Sequence, residues 1–389
     1  MNRTYDLVIV GAGIIGAAVA YYCSKAGLRV LILDAGKAGG ATSSHCEGNL
    51  LVSDKERGPE LELAQYSLKL WNEDFAEFAE EIEFEPKGGI VVSTDQSSME
   101  ALERALKTQR EHGMDVELLS PGRLRELEPD ITDAALGAAL YRDDAQLMPM
   151  ATVSMLLREA IRHGATLLED TRVETLAVSG SKVVGVRATA QTFHTGLVVN
   201  ATGPYAADMS RRMKGMRIPV APRRGYVLVT QRCNTRVFHK VYSASYLDNV
   251  GTSDDSLQTS PVVESSKAGT ILIGSSRERV GFDRTVNEEA LRRMAQNAIA
   301  LFPSLAKMGI LRFYHGYRPY SEDHLPIIGP DPSLEGLWHA TGHEGAGIGL
   351  SAGTGKLISQ AITNGPLDIS LEAFSPERFV RGSEVTYAS

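Results

Sequence analysis

The chain has 389 residues, 43 % of them hydrophobic, enough for a large core and, by length, two domains. Its formal net charge of −8, with a pI near 5.7 and no basic stripe, argues against a nucleic-acid partner. No apolar run reaches the roughly 18 residues that a bilayer span needs. The short run Leu7–Val10 leads into a glycine turn and not into a signal-peptide cleavage site. Cys23, Cys46 and Cys233 are far apart and form no CxxC, zinc or iron–sulfur spacing. We therefore expect a soluble, cytoplasmic chain with no metal and no structural disulfide.

The chain opens on residues 6–10, which read as a buried strand. The turn Gly11-Ala-Gly13-Ile14-Ile15-Gly16 follows, then an apolar helix over 17–26 that Gly27 stops. A second buried strand, 29–33, ends at Asp34, with Ala35 behind it. Strand, glycine turn, helix, strand and acid together make a dinucleotide-binding unit. Gly11 permits the tight turn, Gly13 lets backbone approach a diphosphate, and Gly16 lets helix and strand pack closely. The helix N-terminus faces the diphosphate with unpaired N–H groups. Asp34 can accept from both hydroxyls of an adenosine ribose and would repel a 2′-phosphate.

Further along, apolar residues among acids predict a helix over 60–82, and 88–93 reads as a strand. A charged helix over 99–112, a helix start at 121–127 and a strand at 137–141 follow. An amphipathic helix over 152–163 precedes short strands at 165–168, 173–178, 183–188 and 197–200. Residues 224–230, 257–263 and 270–275 read as sheet, and 290–301 as a helix stopped by Pro303. The pattern predicts an α/β fold, in which a Rossmann-type dinucleotide domain is interrupted by a β-rich α+β substrate domain with a large mixed or antiparallel sheet. We assign 1–84, 145–222 and 320–389 to the first, and 85–144 and 223–319 to the second.

Three further segments suit a long cofactor. Residues 39–49 are rich in glycine and hydroxyls, with Thr42, Ser43, Ser44, Gly48 and Asn49 placed to run beneath a diphosphate and ribityl chain. Residues 197–203 end a buried strand in Ala201, Thr202 and Gly203. The stretch Gly342–Gly349, with Gly345, Gly347, Ile348 and Gly349, feeds a helix over 350–362 whose N-terminus can stabilise negative charge on a flavin. Spread along the chain, these segments fit FAD better than NAD. No second strict GxGxxG followed by a strand and acid is present, so electrons come from an organic substrate.

These features, with Gly269–Gly274, His315-Gly-Tyr-Arg318-Pro319, Leu325–Gly329 and Gly342-His343, resemble the D-amino-acid oxidase superfamily of FAD enzymes over essentially the whole chain. Within it, the likeness is to flavin subunits such as that of hydrogen cyanide synthase and the β subunits of opine oxidases and D-hydroxyproline dehydrogenase, and also to glycine oxidase. The resemblance implies noncovalent FAD, with backbone near Val173 closing over the adenine. It implies that Arg318, in Gly316-Tyr317-Arg318-Pro319, holds a substrate carboxylate, a role that suits a planar guanidinium. The family's C-terminal arginine is missing from Gly342-His343-Glu344-Gly345, which points to a differently charged pocket and away from glycine.

Oxidation of a neutral amine needs alignment more than a strong base, so no catalytic base is named. His45 and His343 are candidates for proton handling beside the substrate. Glu47 either receives the cationic part of a substrate or is a capping acid. Lys356 reads as structural. The expected activity is a dehydrogenase acting on a D-amino acid, an opine or a cyclic imino acid, with electrons passed to a larger partner subunit carrying further redox centres. A free-standing, peroxide-forming oxidase is the alternative, and a non-catalytic flavoprotein scaffold a third.

Overall fold

The computed structural model describes residues 4–111, 114–189, 191–232, 235, 237–244 and 255–380. Cys233 and His112 lie outside these residues. Leu7–Val10 and Val30–Leu33 are buried at every position, as an apolar run covered on both faces requires. They sit in a six-stranded sheet ordered Ile327–Pro330, Leu337–Thr341, Val198–Asn200, Leu7–Val10, Val30–Leu33, Thr166–Leu168. The first pair is antiparallel and the rest are parallel.

Three helices cover one face of this sheet: Ile14–Lys25, Pro149–Arg162 and Gly347–Ile362. The third can lie against the first because its contact residue is glycine: a Cβ on Gly355 would stand 2.6 Å from the Ala18 backbone. A three-stranded antiparallel sheet, Val173–Ser179, Lys182–Ala188 and Thr192–His194, covers the other face through Leu176, Val183 and Val186.

The second large sheet has eight strands, ordered Ile310–Ser321, Val220–Thr230, Ile271–Arg277, Gln258–Ser265, Lys240–Ser243, Gly89–Ser93, Gly137–Tyr141, Val116–Leu119. Only Lys240–Ser243 with Gly89–Ser93 is a parallel pair. The helix Glu288–Leu301 packs on one face, burying Met294, Ala298 and Leu301 against Tyr226 and Ile273. The opposite face of its first strands looks onto the glycine turn and loop of the six-stranded sheet.

Two sequence expectations differ from the fold. The helix predicted over 60–82 spans Pro59–Glu73 and is followed by a short turn, Ala76–Phe78. Phe75 is fully buried against Tyr21, Tyr22 and Trp71, and Tyr22 donates to the Asp74 carboxylate at 3.0 Å. Anchoring Phe75 there turns the chain out of the helical line. The strand Ile310–Ser321 was not anticipated, because exposed Leu311 and Phe313 obscure its alternation.

Candidate active site

A single elongated cavity of about 660 Å³ runs between the two sheets, from Asp34 and Val173 at one end to Arg318 and Glu47 at the other. The turn and second-strand residues Gly11, Gly13, Ile14, Ile15, Asp34 and Ala35 line it, as do Thr42, Ser43, His45, Gly48 and Asn49. Ala201, Thr202, Gly203, His343, Gly345, Gly347 and Ile348 complete the same wall.

The glycine turn is built for close approach. Gly11 has φ +107°, and a Cβ there would lie 2.4 Å from the Ala201 carbonyl oxygen. A Cβ on Gly16 would lie 1.9 Å from the Gly11 oxygen. The N-terminus of Ile14–Lys25 has no capping side chain at Gly13. One first-turn donor is already engaged, however: the Ile14 N–H donates to Ser43 Oγ at 3.0 Å. The helix thus meets the cavity with fewer bare N–H groups than the turn alone suggests, and Ser43 faces it as a hydroxyl. Asp34 accepts from the N–H of Ala12 at 2.7 Å and of Gly36 at 2.8 Å, which orients its carboxylate at the cavity end. An unobstructed turn, an oriented acid and a cavity long enough to reach Arg318 fit a dinucleotide that carries a flavin.

Three residues expected at the cofactor do not line this cavity: Gly16, which packs against the Gly11 carbonyl within the turn, Ser44 and Gly349. Ser44 spends its hydroxyl on Ala41 O at 3.0 Å and on His45 Nδ1 at 2.8 Å. The carbonyl of Gly349 accepts from Ser67 Oγ at 2.5 Å and Trp71 Nε1 at 3.2 Å, so this glycine serves helix packing. Thr42 lines the wall but donates its hydroxyl to Tyr317 O at 2.7 Å, tying the loop to the eight-stranded sheet.

At the opposite end, Arg318 rises from Ile310–Ser321, and its Nη1 donates to Ser276 O at 2.9 Å. It packs so closely over Gly225 that a Cβ there would meet Nη1 at 2.1 Å. Glu47 is 8 % exposed and lies against Gly274. Burial, and then the neighbouring Glu264, raise its affinity for a proton, while Lys240 and Arg318 pull the other way. Its Oε2 accepts from Asn49 at 3.4 Å, and its buried Oε1 accepts no hydrogen bond. Beneath it Lys240, itself buried, is paired with Glu264 at 2.6 Å.

The two histidines differ. His343 is buried, bonded through Nε2 to Thr354 Oγ1 at 3.0 Å, and burial pushes it down to about 3. It is a neutral wall of the cavity and not a proton carrier near neutral pH. His45 is half-buried, with Nδ1 2.7 Å from Ala41 O. Its Cβ would collide with any side chain at Gly316, which fixes the ring beside the Arg318 strand. Lys356 lies outside the cavity, 3.6 Å from Asp74. Sequence reading missed Arg277, Glu344 and Tyr205, which also line the cavity.

Residues 6–361 match the family model described as FAD dependent oxidoreductase (DAO), and the chain belongs to that family. It is an FAD-dependent oxidoreductase. Among its relatives it is 30 % identical to hydrogen cyanide synthase subunit HcnC of Pseudomonas aeruginosa, over 97 % of both chains. It is 29 % identical to glycine oxidase of Geobacillus kaustophilus, over 98 % of both. The crystal structure of glycine oxidase from Geobacillus kaustophilus superposes with a TM-score of 0.87 at 28 % identity, covering 96 % of this chain and 98 % of that one.

Proposed function

We propose that this oxidoreductase is a dehydrogenase for an amino acid or secondary amino acid, a D-amino acid, an opine or a cyclic imino acid, and that it passes the electrons to a larger partner subunit. The observation that carries the reading is the pairing of Arg318 with Glu47 at one end of the cavity. A guanidinium and a carboxylate that both line this end match the two charged ends of an amino acid. A protein that served only as a flavoprotein scaffold would have no use for either group.

Bound FAD supplies the hydride acceptor. Arg318 holds the substrate carboxylate and thereby sets the direction of the Cα–H bond. Glu47 meets the substrate nitrogen, and its raised proton affinity suits a group that takes a proton from an incoming ammonium. The amine lone pair then forms the C=N bond as hydride leaves Cα. Water hydrolyses the resulting imine to a keto acid and an amine or ammonia, unless the imine is cyclic. The first turn of Gly347–Ile362 and the turn at Gly13 direct N–H groups at the cavity, where negative charge is favoured.

The partner reading is supported by the relative named as a subunit of hydrogen cyanide synthase and by a sequence with one dinucleotide fingerprint and no iron–sulfur spacing. Likeness to glycine oxidase favours the second reading, a free-standing oxidase. Substrate mixed with the isolated chain in air, with and without an artificial dye, separates them. Dye reduction with little peroxide is expected; rapid stoichiometric peroxide without dye would establish the oxidase.

A further inference from the structure

Behind the substrate end of the cavity lies a line of buried polar groups that hydride transfer itself does not use. Glu47 and Asn49 line the cavity; Lys240 and Glu264 lie behind them and do not. Lys240 opens the strand Lys240–Ser243, and Glu264 sits near the end of Gln258–Ser265. The antiparallel register that sets Val241 against Val263 brings the two together, with Lys240 Nζ 2.6 Å from Glu264 Oε2. Lys240 is 1 % exposed and Glu264 is fully buried. Lys240 Nζ also donates to Asn49 Oδ1, and Asn49 Nδ2 donates to Glu47 Oε2 at 3.4 Å. The amide stands with its carbonyl toward the ammonium and its NH2 toward the carboxyl, and so joins Glu47 to the ion pair.

Glu47 is held against a strand with no side chain in the way: a Cβ on Gly274 would meet Glu47 Oε1 at 1.9 Å. Glu47 and Glu264 each keep one buried oxygen, Oε1, that accepts no hydrogen bond among the described residues, so either can take a proton without losing a bond already made. The titratable and charged groups that reach Glu47 among the described residues are Lys240 and Glu264, Arg318 and Tyr314 on Ile310–Ser321, and Cys46 beside it. Burial pushes the Cys46 thiol up to about 12 and raises Tyr314 above its ordinary value, so neither is charged near neutral pH. Lys87 stands one step further out, facing Glu264 and Lys240. A buried ion pair contributes little over apolar residues of the same volume, so this pair is explained by what it does to its neighbour.

We propose that Asn49, Lys240 and Glu264 are positioning residues for Glu47: the buried ion pair, bonded through Asn49, decides whether Glu47 meets the substrate as a carboxylate or as a carboxylic acid. This rests on the reading above, in which Glu47 meets the substrate nitrogen beside Arg318. Burial favours the acid, the Lys240 ammonium favours the carboxylate, and the charge of Glu264 favours the acid again. As a carboxylate, Glu47 attracts an ammonium and repels an anion. As an acid it does neither. A substrate that gives its ammonium proton to Glu47 leaves the acid form behind, and the pair sets how readily that proton is taken and given back.

The test uses FAD-loaded protein and (methylthio)acetate, an unreactive carboxylate without an amine, titrated by the change it causes in the flavin absorption spectrum. Between about pH 5 and about pH 9 this ligand stays ionised, so a change in its affinity reports the charge of Glu47 beside Arg318. Its dissociation constant is expected to rise about tenfold as Glu47 ionises, and Glu47→Gln should remove this pH dependence. Lys240→Met should move the midpoint to higher pH and Glu264→Gln to lower pH, an ordering that a merely structural role would not produce. Lys240→Arg, which keeps the charge, should leave the midpoint in place. The double variant of Lys240→Met with Glu264→Gln leaves no lone buried charge. It should titrate between the two and serves as the comparison if either single variant fails to retain FAD. Midpoints that coincide in the variants, a pH dependence that survives Glu47→Gln, or none in any of these proteins would overturn the proposal. Anaerobic bleaching by amino acids is measured alongside. Bleaching with coincident midpoints removes the positioning role and leaves amino-acid oxidation standing; opposed midpoints with no bleaching by any amine remove the reaction and leave the hold of the ion pair on Glu47.

Discussion

Replacing Arg318 should weaken substrate capture far more than it disturbs the fold. The guanidinium lines the cavity and is oriented by its bond from Nη1 to Ser276 O at 2.9 Å, and its planar fork suits a carboxylate. Two charge-assisted hydrogen bonds contribute about 1.5–3 kcal/mol each. Ordering the ligand offsets part of that, and about 3 kcal/mol corresponds to roughly 10²-fold in affinity. Arg318→Ala should therefore raise the substrate dissociation constant about 10²-fold, and Arg318→Lys, which keeps the charge and loses the fork, about tenfold. Anaerobic stopped-flow reduction over a range of substrate concentrations reads the dissociation constant apart from the limiting rate. The FAD content of both variants should match the unaltered protein, because Arg318 lies at the end of the cavity far from Asp34. A dissociation constant within twofold of the original in Arg318→Ala would refute carboxylate binding by this residue.

Other variants probe the neighbouring parts. Gly225→Ala places a Cβ 2.1 Å from Arg318 Nη1 and should reproduce the Arg318→Lys loss of affinity with FAD retained, read in the same stopped-flow experiment. Asp34→Ala should lower FAD occupancy, measured by the ratio of flavin to protein absorbance, without lowering the thermal midpoint of the apoprotein by more than a few degrees; the FAD should leave on acid or heat treatment as free cofactor. Gly16→Ala drives a Cβ to 1.9 Å from the Gly11 oxygen and should abolish stable FAD binding, read by the same ratio. His343 is neutral in the fold down to about pH 3, whereas unfolded histidine takes up its proton near 6.5. The unfolded state therefore binds more protons between these values. The contribution of this residue to stability is present above pH 6.5 and is lost as pH falls, by about 1.4 kcal/mol per pH unit. The urea midpoint of His343→Asn should fall less between pH 7 and pH 5 than that of the unaltered protein.

That Gly11, Gly13 and Asp34 line one end of the cavity was legible in the sequence because that end is made by local backbone geometry. Gly11, Gly13, Gly16 and Asp34 lie within one strand–helix–strand unit, and their types state what the backbone must do. Hydroxyl-rich and glycine-rich loops were less informative: composition brought Thr42, Ser43, Ser44 and Gly349 together, but only direction separates Ser43, which faces the cavity, from Ser44, which turns back on its own loop. Arg318 was visible through its motif. Arg277 was not, because which of two adjacent residues faces the cavity depends on strand register. Arg277 and Glu278 are neighbours with opposite fates, one on the cavity wall and one paired with Arg224 behind the sheet. The break after Glu73 was hidden for a similar reason, since the pull on Phe75 comes from Tyr21 and Tyr22, about fifty residues earlier in the chain.

The central claim is that an amino acid or secondary amino acid, held by Arg318, reduces the FAD of this chain directly. It is tested most directly by anaerobic titration of the purified, FAD-loaded protein with a panel of D-amino acids, opines and prolines, following flavin absorbance with no partner and no dye present. The account predicts stoichiometric bleaching by at least one member that carries a carboxylate on the carbon beside the nitrogen, and none by the matching amine without that carboxylate. Bleaching by simple amines as readily as by their carboxylated counterparts, or by no member of the panel, would contradict it.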